Sequence, residues 1–154
     1  MPQFEHNLYS STDYQNILKR LGNLKKDQAP LWGTMNAAQM LAHCSETQEI
    51  ANGKKLKNTP LLFRVFGPNL IKKAVLSKNA YKKNLRTHPQ YKKSRQYNFD
   101  IEKKRLIVAL EKFYYENKST AGKRKHPIFG KMTIEEKGWQ TYRHLNHHFE
   151  QFGI

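Results

Sequence analysis

The clearest helical pattern in the sequence lies at its C-terminal end and reads Met132-Thr-Ile-Glu-Glu-Lys-Gly-Trp-Gln-Thr-Tyr-Arg-His-Leu-Asn-His-His-Phe-Glu-Gln-Phe-Gly153. Thr133 and Glu136 have the spacing of a capping box, in which each side chain accepts a hydrogen bond from a backbone N–H of the first turn. Gly153 lies where a left-handed residue commonly closes a helix. The pattern therefore predicts one long helix with both ends defined.

One face of this helix is apolar and has histidines at its edge. The apolar residues at helical spacing are Ile134, Tyr142, Leu145, Phe149 and Phe152. His144 and His148 are one turn apart, so they point only about 40° apart and can reach the same metal ion. His147 is expected to point to nearly the opposite side, toward solvent or a neighbouring element. The simpler interpretation, that all three are ordinary helix histidines, stays open at this point.

A second helix is predicted between Thr34 and Asn52, with Thr34 or Asn36 as its cap and Gly53 after its end. Its buried stripe consists of Ala37, Met40, Leu41, Cys44 and Ala51. His43 lies at the edge of that stripe. Either His43 is a polar residue at a helix boundary, or it is a third ligand that faces the two histidines of the last helix.

Two further long helices follow from the spacing of apolar residues. One covers residues 11–26, with Ser11 or Thr12 as its cap, and the other covers residues 100–117, with Asp100 as its cap. Four long helices with one long connection between the second and third predict an all-α, four-helix bundle, in which binding sites lie between facing helices.

The remaining segments are predicted to be short or irregular. A short helix is expected at 69–78, and residues 61–66 are apolar enough to pack on the bundle. Irregular structure is expected for residues 1–10, 81–97 and 118–125. The dipeptide at 126–127 is expected to position the chain for entry into the last helix, because the residue before a proline favours an extended backbone.

The net charge of +16 is extreme for a chain of 154 residues, and residues 53–99 hold thirteen Lys or Arg but no Asp or Glu. The favoured interpretation of this segment is a solvated crossover connection. The alternative is a surface that binds RNA, DNA or another acidic partner through phosphate contacts and through stacking on Tyr81, Tyr91 and Tyr97. The sequence contains no RNA-recognition, zinc-finger or helix-turn-helix signature.

Length and composition predict one domain over residues 1–154 in a cytoplasmic protein. The single cysteine, Cys44, excludes an internal disulfide and fits a reducing compartment. No apolar run is long enough for a transmembrane segment, and the N-terminus lacks the apolar region of a signal peptide.

Several motifs together resemble a known family. They are Trp32-Gly-Thr-Met-Asn-Ala-Ala-Gln-Met-Leu-Ala-His-Cys44, Phe66-Gly-Pro68, Asn98-Phe-Asp100, His126-Pro-Ile-Phe-Gly-Lys-Met-Thr133, and Trp139 through His144-Leu-Asn-His-His148 to Gln151-Phe-Gly153. The set resembles the DinB/YfiT-like metalloenzyme superfamily and is most similar to its DUF1569 subgroup. The similarity runs from about Thr12 to the C-terminus, and its specificity comes from the closing motif combined with His43.

The resemblance implies a DinB-like bundle with a metal site made by His43, His144 and His148. It implies a divalent metal, Zn²⁺ or Ni²⁺, and a small-molecule substrate. Some superfamily members are thiol S-transferases, so the resemblance allows a low-molecular-weight thiol as cofactor. Members often pair through helices, so it also allows a homodimer, although no apolar stripe in this sequence demands one. The subgroup itself has no established activity, so a bundle that binds a metal without catalysis is a further alternative.

Three neutral imidazoles leave an open coordination position, which suits hydrolysis or thiol transfer. No strong general base stands out, and Glu46 and Gln39 are candidates for orienting roles on the helix of His43. Cys44 is expected to be a core residue. A fourth metal contact from His126 is the less favoured interpretation of that histidine.

Overall fold

The computed structural model describes residues 4–85 and 87–154. Residues 1–3 of the expected N-terminal arm and Arg86 of the basic segment lie outside this part of the chain. The described residues form an all-α bundle without a strand, and one isolated bridge joins His126 to Gly130. The prediction of an all-α fold is confirmed. No described helix is both long enough and apolar enough to cross a membrane.

Four long helices make up the bundle, and three shorter ones lie between them. The helices are α1 (Ser11–Asn23), α2 (Ala37–Ala51), α3 (Leu61–Phe66), α4 (Lys72–Leu76), α5 (Phe99–Tyr115), α6 (Lys118–Lys123) and α7 (Ile134–Gln151). A π-helical segment, Gly67–Ile71, joins α3 to α4, and a 3₁₀ turn, Pro89–Tyr91, precedes α5. Helix α2 packs along α5, α1 packs along α7, and α7 also contacts α2.

The ends of α7 and α2 are set by local side chains. Thr133 Oγ1 accepts a hydrogen bond from the Glu136 N–H at 3.1 Å, and Glu136 Oε2 accepts one from the Thr133 N–H at 2.9 Å. Gly153 has a φ of 68°, in the left-handed region. Asn36 and Gln39 form the same reciprocal arrangement at the start of α2. The predicted boundaries of α7 and the Asn36 cap are therefore present.

Helix α1 differs from its prediction at both ends. It ends three residues earlier than expected, because Leu24 adopts an extended backbone (φ −66°, ψ 127°). This turn buries the Leu24 side chain in the core. The N-cap position is Ser10, whose carbonyl accepts from the Tyr14 N–H at 2.9 Å and whose side chain makes no capping bond. The assignment of the cap to Ser11 or Thr12 was wrong.

Side-chain caps also correct the predictions for the third long helix and the loop after it. Asn98, not Asp100, caps α5, since its side chain accepts from the Ile101 N–H at 3.1 Å. The segment predicted to be a loop at 118–125 contains helix α6, whose N-cap Asn117 accepts from the Ser119 N–H at 2.8 Å.

The crossover is more helical and more exposed than predicted. Helical structure begins at Leu61 rather than at residue 69, with Pro60 at the N-cap of α3. Pro68 lies in the first turn of the π-helical segment that follows α3. Leu61 is 71% exposed and Val65 55% exposed, so the expectation that residues 61–66 pack on the bundle was wrong for most of them. Phe63 is the exception and packs against a small apolar cluster.

The core has two parts. The larger cluster joins α1, α2, α5 and α7 and includes Ile17, Leu21, Met40, Leu41, Leu106, Leu110, Phe113, Leu145, Phe149 and Phe152. The smaller cluster lies beside the crossover and consists of Ile50, Tyr91, Ile128, Phe129 and Met132. Cys44 is fully buried in the larger cluster, as expected, and burial raises the pKa of its thiol. The free thiol is therefore a packing group.

The N-terminal arm packs along α7. The Phe4 ring stacks on Trp139 with their centroids 5.4 Å apart, and the Leu8 N–H donates to the Gly138 carbonyl at 3.1 Å. A Cβ atom at Gly138 would lie only 1.7 Å from Asn7 Oδ1. A residue with a side chain at position 138 would therefore displace the Asn7 side chain.

Candidate metal centre

Helices α2 and α7 bring three histidines together. One ring nitrogen from each of His43, His144 and His148 lies within 4.8 Å of the others. The Nε2 atoms of His43 and His144 are 3.0 Å apart. His43 is 6% exposed and His148 is 7% exposed, so the group is enclosed by protein. Three imidazoles in this arrangement could hold a metal ion.

The orientation of His43 is fixed from the crossover. Its Nδ1 lies 2.9 Å from the Tyr91 carbonyl oxygen, which only accepts, so Nδ1 carries the proton and Nε2 presents a lone pair toward His144. The neighbouring Gln90 donates through Nε2 to Glu46 Oε1 at 2.8 Å. Glu46 therefore bonds to the 3₁₀ turn that contains Tyr91, and no hydrogen bond between Glu46 and His43 is found among the described residues.

The orientation of His148 is fixed within α7. Its Nδ1 lies 2.8 Å from Gln151 Oε1, and Gln151 Nε2 donates to the Trp32 carbonyl at 2.9 Å. Since that carbonyl only accepts, the Gln151 oxygen faces the ring, the His148 proton lies on Nδ1, and Nε2 presents a lone pair. Gly33 has a φ of 81°, and a Cβ there would lie 2.7 Å from Gln151 Nε2. The Trp32–Gly33 turn thus fits closely against the amide.

Sequence reasoning missed both orienting groups. Gln151 could have been found, because it lies one helical turn from His148 and on the same side of α7. Tyr91 carries no such signal, because it acts through its main-chain carbonyl and lies 48 positions away from His43 in the sequence.

The cluster is held in the neutral state. Burial lowers the pKa of His43 to about 4; its hydrogen bond to Tyr91 opposes this shift, and the charge of Lys93 adds to it. Burial, followed by the neighbouring imidazoles, places the pKa values of His144 and His148 well below their ordinary range. Neutral imidazoles with lone pairs are the form in which histidine binds metals.

His147 does not point away from the cluster, so that prediction was wrong. Its ring lies 5.1 Å from the His148 ring and packs against Trp32 at 5.8 Å and Tyr81 at 5.5 Å, measured between centroids. Three positions along a helix correspond to about 300°, which leaves His147 only about 60° from His144. His147 is a half-buried neighbour of the three histidines.

Two other candidate residues have different roles. His126 is not a member of the three-histidine group, and its Nδ1 accepts hydrogen bonds from the Ile128 N–H at 3.1 Å and the Phe129 N–H at 3.2 Å. Gln39 caps α2 and donates to the Arg95 carbonyl at 3.1 Å, so it does not orient a histidine.

A cavity of about 740 Å³ lies beside the three imidazoles. The crossover forms one of its walls, so this segment is more than a solvated connection. The lining includes the apolar side chains of Trp32, Phe63, Val75 and Phe129 and the cationic side chains of Lys82, Lys92 and Lys93. No Asp or Glu is found among the described lining residues. The cavity is therefore apolar in its walls and positive in its charge.

Helix α7 also fixes the crossover in place. The Arg143 guanidinium donates to the Val75 carbonyl at 2.5 Å and lies 4.1 Å from the centre of the Tyr81 ring. Trp139 Nε1 donates to the Leu76 carbonyl at 3.0 Å. The same helix that supplies two of the three histidines therefore positions the opposite wall of the cavity.

The fold and the site define a class of protein, an all-α bundle with a candidate metal centre between two of its long helices. The chain belongs to the family described as "Protein of unknown function (DUF1569)", whose model matches residues 6–153. The match covers nearly the whole chain and confirms the resemblance to this family. Neither a curated protein nor a solved structure matches the chain significantly.

Proposed function

We propose that this protein is a divalent-metal-dependent enzyme of the DinB/YfiT-like superfamily, with His43, His144 and His148 as the metal ligands. The observation that carries the proposal is the convergence of the three ring nitrogens within 4.8 Å beside a cavity large enough for a small molecule. The substrate binds in that cavity.

The residues present fit a metal of the zinc type. Metal-binding histidines usually donate their other ring N–H to a carbonyl or carboxylate, and His43 and His148 both do so. A separation of 3.0 Å between two Nε2 atoms agrees with two bonds of about 2.0–2.1 Å to one ion. All-imidazole ligation suits Zn²⁺, and Ni²⁺ is the second choice.

When bound, such an ion supplies Lewis acidity, which makes a coordinated water or thiol more acidic. The chain itself contributes apolar wall residues and the cations Lys82 and Lys92, which attract a negatively charged reactant. The third lining cation, Lys93, is paired with Glu46. No carboxylate among the described lining residues is placed to act as a general base. The proposed reactions are hydrolysis and S-transfer from a low-molecular-weight thiol, because each would use a water or a thiol that the ion makes more acidic.

Metal analysis of the purified protein tests the proposal. Wild-type protein should carry about one equivalent of Zn²⁺ or Ni²⁺ per chain, and His148→Ala or His43→Ala should lose it. His147→Ala is the matched control, because His147 adjoins the cluster on the same helix without belonging to it. Metal-free wild-type protein that also fails to bind added Zn²⁺ would contradict the proposal. Bound metal without turnover on thiol and ester panels would instead favour a non-catalytic metal-binding bundle.

A second candidate function uses the basic segment. The thirteen Lys or Arg residues of 53–99, with no acidic residue among them, favour an acidic partner such as RNA or DNA. Binding to a random oligonucleotide should then weaken steeply with salt, and an absence of binding at low salt would remove this function. A homodimer, a cytoplasmic location and a single domain over residues 1–154 stay predictions.

A further inference from the structure

Three histidines outside the metal centre line the same cavity, namely His147, His126 and the most buried of them, His88. Its ring is 1% exposed and packs between Phe63 and Tyr91, with centroid distances of 5.4 and 5.5 Å. The Gln90 N–H donates to His88 Nδ1 at 3.1 Å. Because a backbone N–H can only donate, Nδ1 has no proton and the neutral ring carries its proton on Nε2.

The Nε2–H of His88 has no hydrogen-bond partner within residues 4–85 and 87–154, although it is buried. A buried donor without a partner costs free energy, so folded proteins rarely retain one that has no use. His88 therefore carries an unpartnered, buried donor in a ring that lines the cavity.

His126 repeats the arrangement from another segment of the chain. Its Nδ1 accepts from two backbone N–H groups, those of Ile128 and Phe129, so its proton also lies on Nε2. The ring is stacked on Phe129 with a centroid distance of 4.3 Å and lines the same cavity. Burial lowers the pKa values of both His88 and His126, which keeps the two rings neutral.

The cavity thus contains two classes of imidazole with opposite proton positions. His43 and His148 hold their proton on Nδ1 and present Nε2 lone pairs to a cation, whereas His88 and His126 hold it on Nε2 and present N–H donors. The partner of Nδ1 decides the class in each case, and it is a backbone group except at His148, where it is the Gln151 side chain. A ring with its proton on Nε2 offers no lone pair at that atom, so neither His88 nor His126 adds a metal ligand there.

We propose that His88 and His126 are substrate-binding residues that donate hydrogen bonds to a carboxylate, and that the substrate is a small carboxylic acid with an apolar body. A carboxylate is an acceptor-only group that suits two N–H donors. The cavity lining includes lysines but no acidic side chain among the described residues, which favours a negatively charged substrate. The apolar walls at Phe63 and Phe129 receive the rest of the molecule.

The inference rests on the proposed function in that it names the substrate class for the same cavity. Its first test needs no ligand. Ring ¹⁵N–¹H correlation spectra at neutral pH should identify His88 and His126 as neutral Nε2–H tautomers. Nδ1–H tautomers or charged rings at these positions would overturn the inference.

The second test measures binding of phenylacetate and of its uncharged counterpart phenylethanol by calorimetry, with the full-length protein before and after treatment with a chelator. Wild-type protein should bind phenylacetate more tightly. His88→Asn and His126→Asn keep a side-chain acceptor for the backbone N–H groups and remove the Nε2–H, so each should weaken phenylacetate binding about tenfold. His6→Asn, on the N-terminal arm, is the control and should bind like wild type.

The outcomes separate this inference from the proposed function. Selective phenylacetate binding that depends on His88 and His126 supports the inference even if the protein proves to hold no metal. Equal affinity for the acid and the alcohol would overturn it, whatever the metal content. It would also be overturned if His88→Asn and His126→Asn bound phenylacetate as wild type does while chelation abolished binding, since the metal would then hold the acid.

Discussion

The Nε2 atoms of His43 and His144 lie 3.0 Å apart although the two residues are 101 positions apart in the sequence. His43 Nδ1–H donates to the Tyr91 carbonyl oxygen, so the His43 Nε2 carries a lone pair. At this distance the His43 lone pair accepts a hydrogen bond from His144 Nε2, so the neutral His144 ring carries its proton on that atom. A metal ion held by the three histidines would take the place of that proton.

Loss of the Gln151 side chain should weaken metal binding without removing a ligand. Gln151→Ala leaves the His148 Nδ1–H without its acceptor, and such outer partners are worth about ten- to a hundredfold in affinity. Competition with a chromogenic chelator for Zn²⁺ measures the change. Gln151→Glu should restore most of the affinity, because a carboxylate also accepts from Nδ1. Glu150→Ala, at the exposed neighbouring position, should have no effect, and an equal loss there would mean that the change is general to the helix end.

The close approach at Gly138 should make a substitution of this glycine destabilising. Gly138→Ala places a Cβ where Asn7 Oδ1 lies, so the Asn7 side chain must turn away and lose the hydrogen bond that it accepts from the Tyr9 N–H, and stability should fall by about 1–3 kcal/mol. Urea denaturation measures the loss. Gly22→Ala is the matched control in α1, because no atom lies within 4 Å of its new Cβ, and it should stabilise the protein by about 0.5–1 kcal/mol. Similar effects of the two substitutions would contradict the described packing of the arm.

Acid should destabilise the protein through Glu46. Burial alone would raise the pKa of this carboxyl, but hydrogen bonds from Gln90, Lys54 and Arg105 together lower it to about 2. A carboxyl with a depressed pKa contributes stability above its ordinary value of 4.5, and this contribution is lost as the pH falls toward about 2.

Denaturation of Glu46→Gln at several pH values measures that contribution. The variant should be less stable than wild type at pH 7, and the difference should shrink between pH 4.5 and pH 2. A difference that stays constant over this range would mean that Glu46 has an ordinary pKa. Glu135→Gln, in the first turn of α7, is a suitable comparison because no hydrogen bond to a basic side chain is described for it.

The Arg143 guanidinium should determine how firmly the crossover is held as a wall of the cavity. Arg143→Lys keeps the charge but loses the planar group that bonds the Val75 carbonyl and covers the Tyr81 ring. Amide hydrogen exchange at residues 75–81 should become faster, while the metal content stays that of wild type. Arg64→Lys, at an exposed position of α3, should leave the exchange unchanged. Slow exchange in Arg143→Lys would mean that other contacts hold the segment.

The sequence alone determined the features that depend on neighbours within one helical turn. The capping box of Thr133 and Glu136, the closing Gly153 and the paired spacing of His144 and His148 are all present as predicted. These features are local, because a hydrogen bond or a shared face within one turn needs no information from the rest of the chain. The family followed from several such motifs taken together along the chain.

Only the tertiary structure decided which ring nitrogen of each histidine carries the proton. His43 and His88 have the same side chain, but one meets a carbonyl oxygen and the other meets a backbone N–H, so they present a lone pair and a donor to the same cavity. The fold of the crossover sets both partners, so the residue type alone does not reveal which ring nitrogen carries the proton. The physical reason is that a neutral imidazole has one donor and one acceptor, and packing chooses between them.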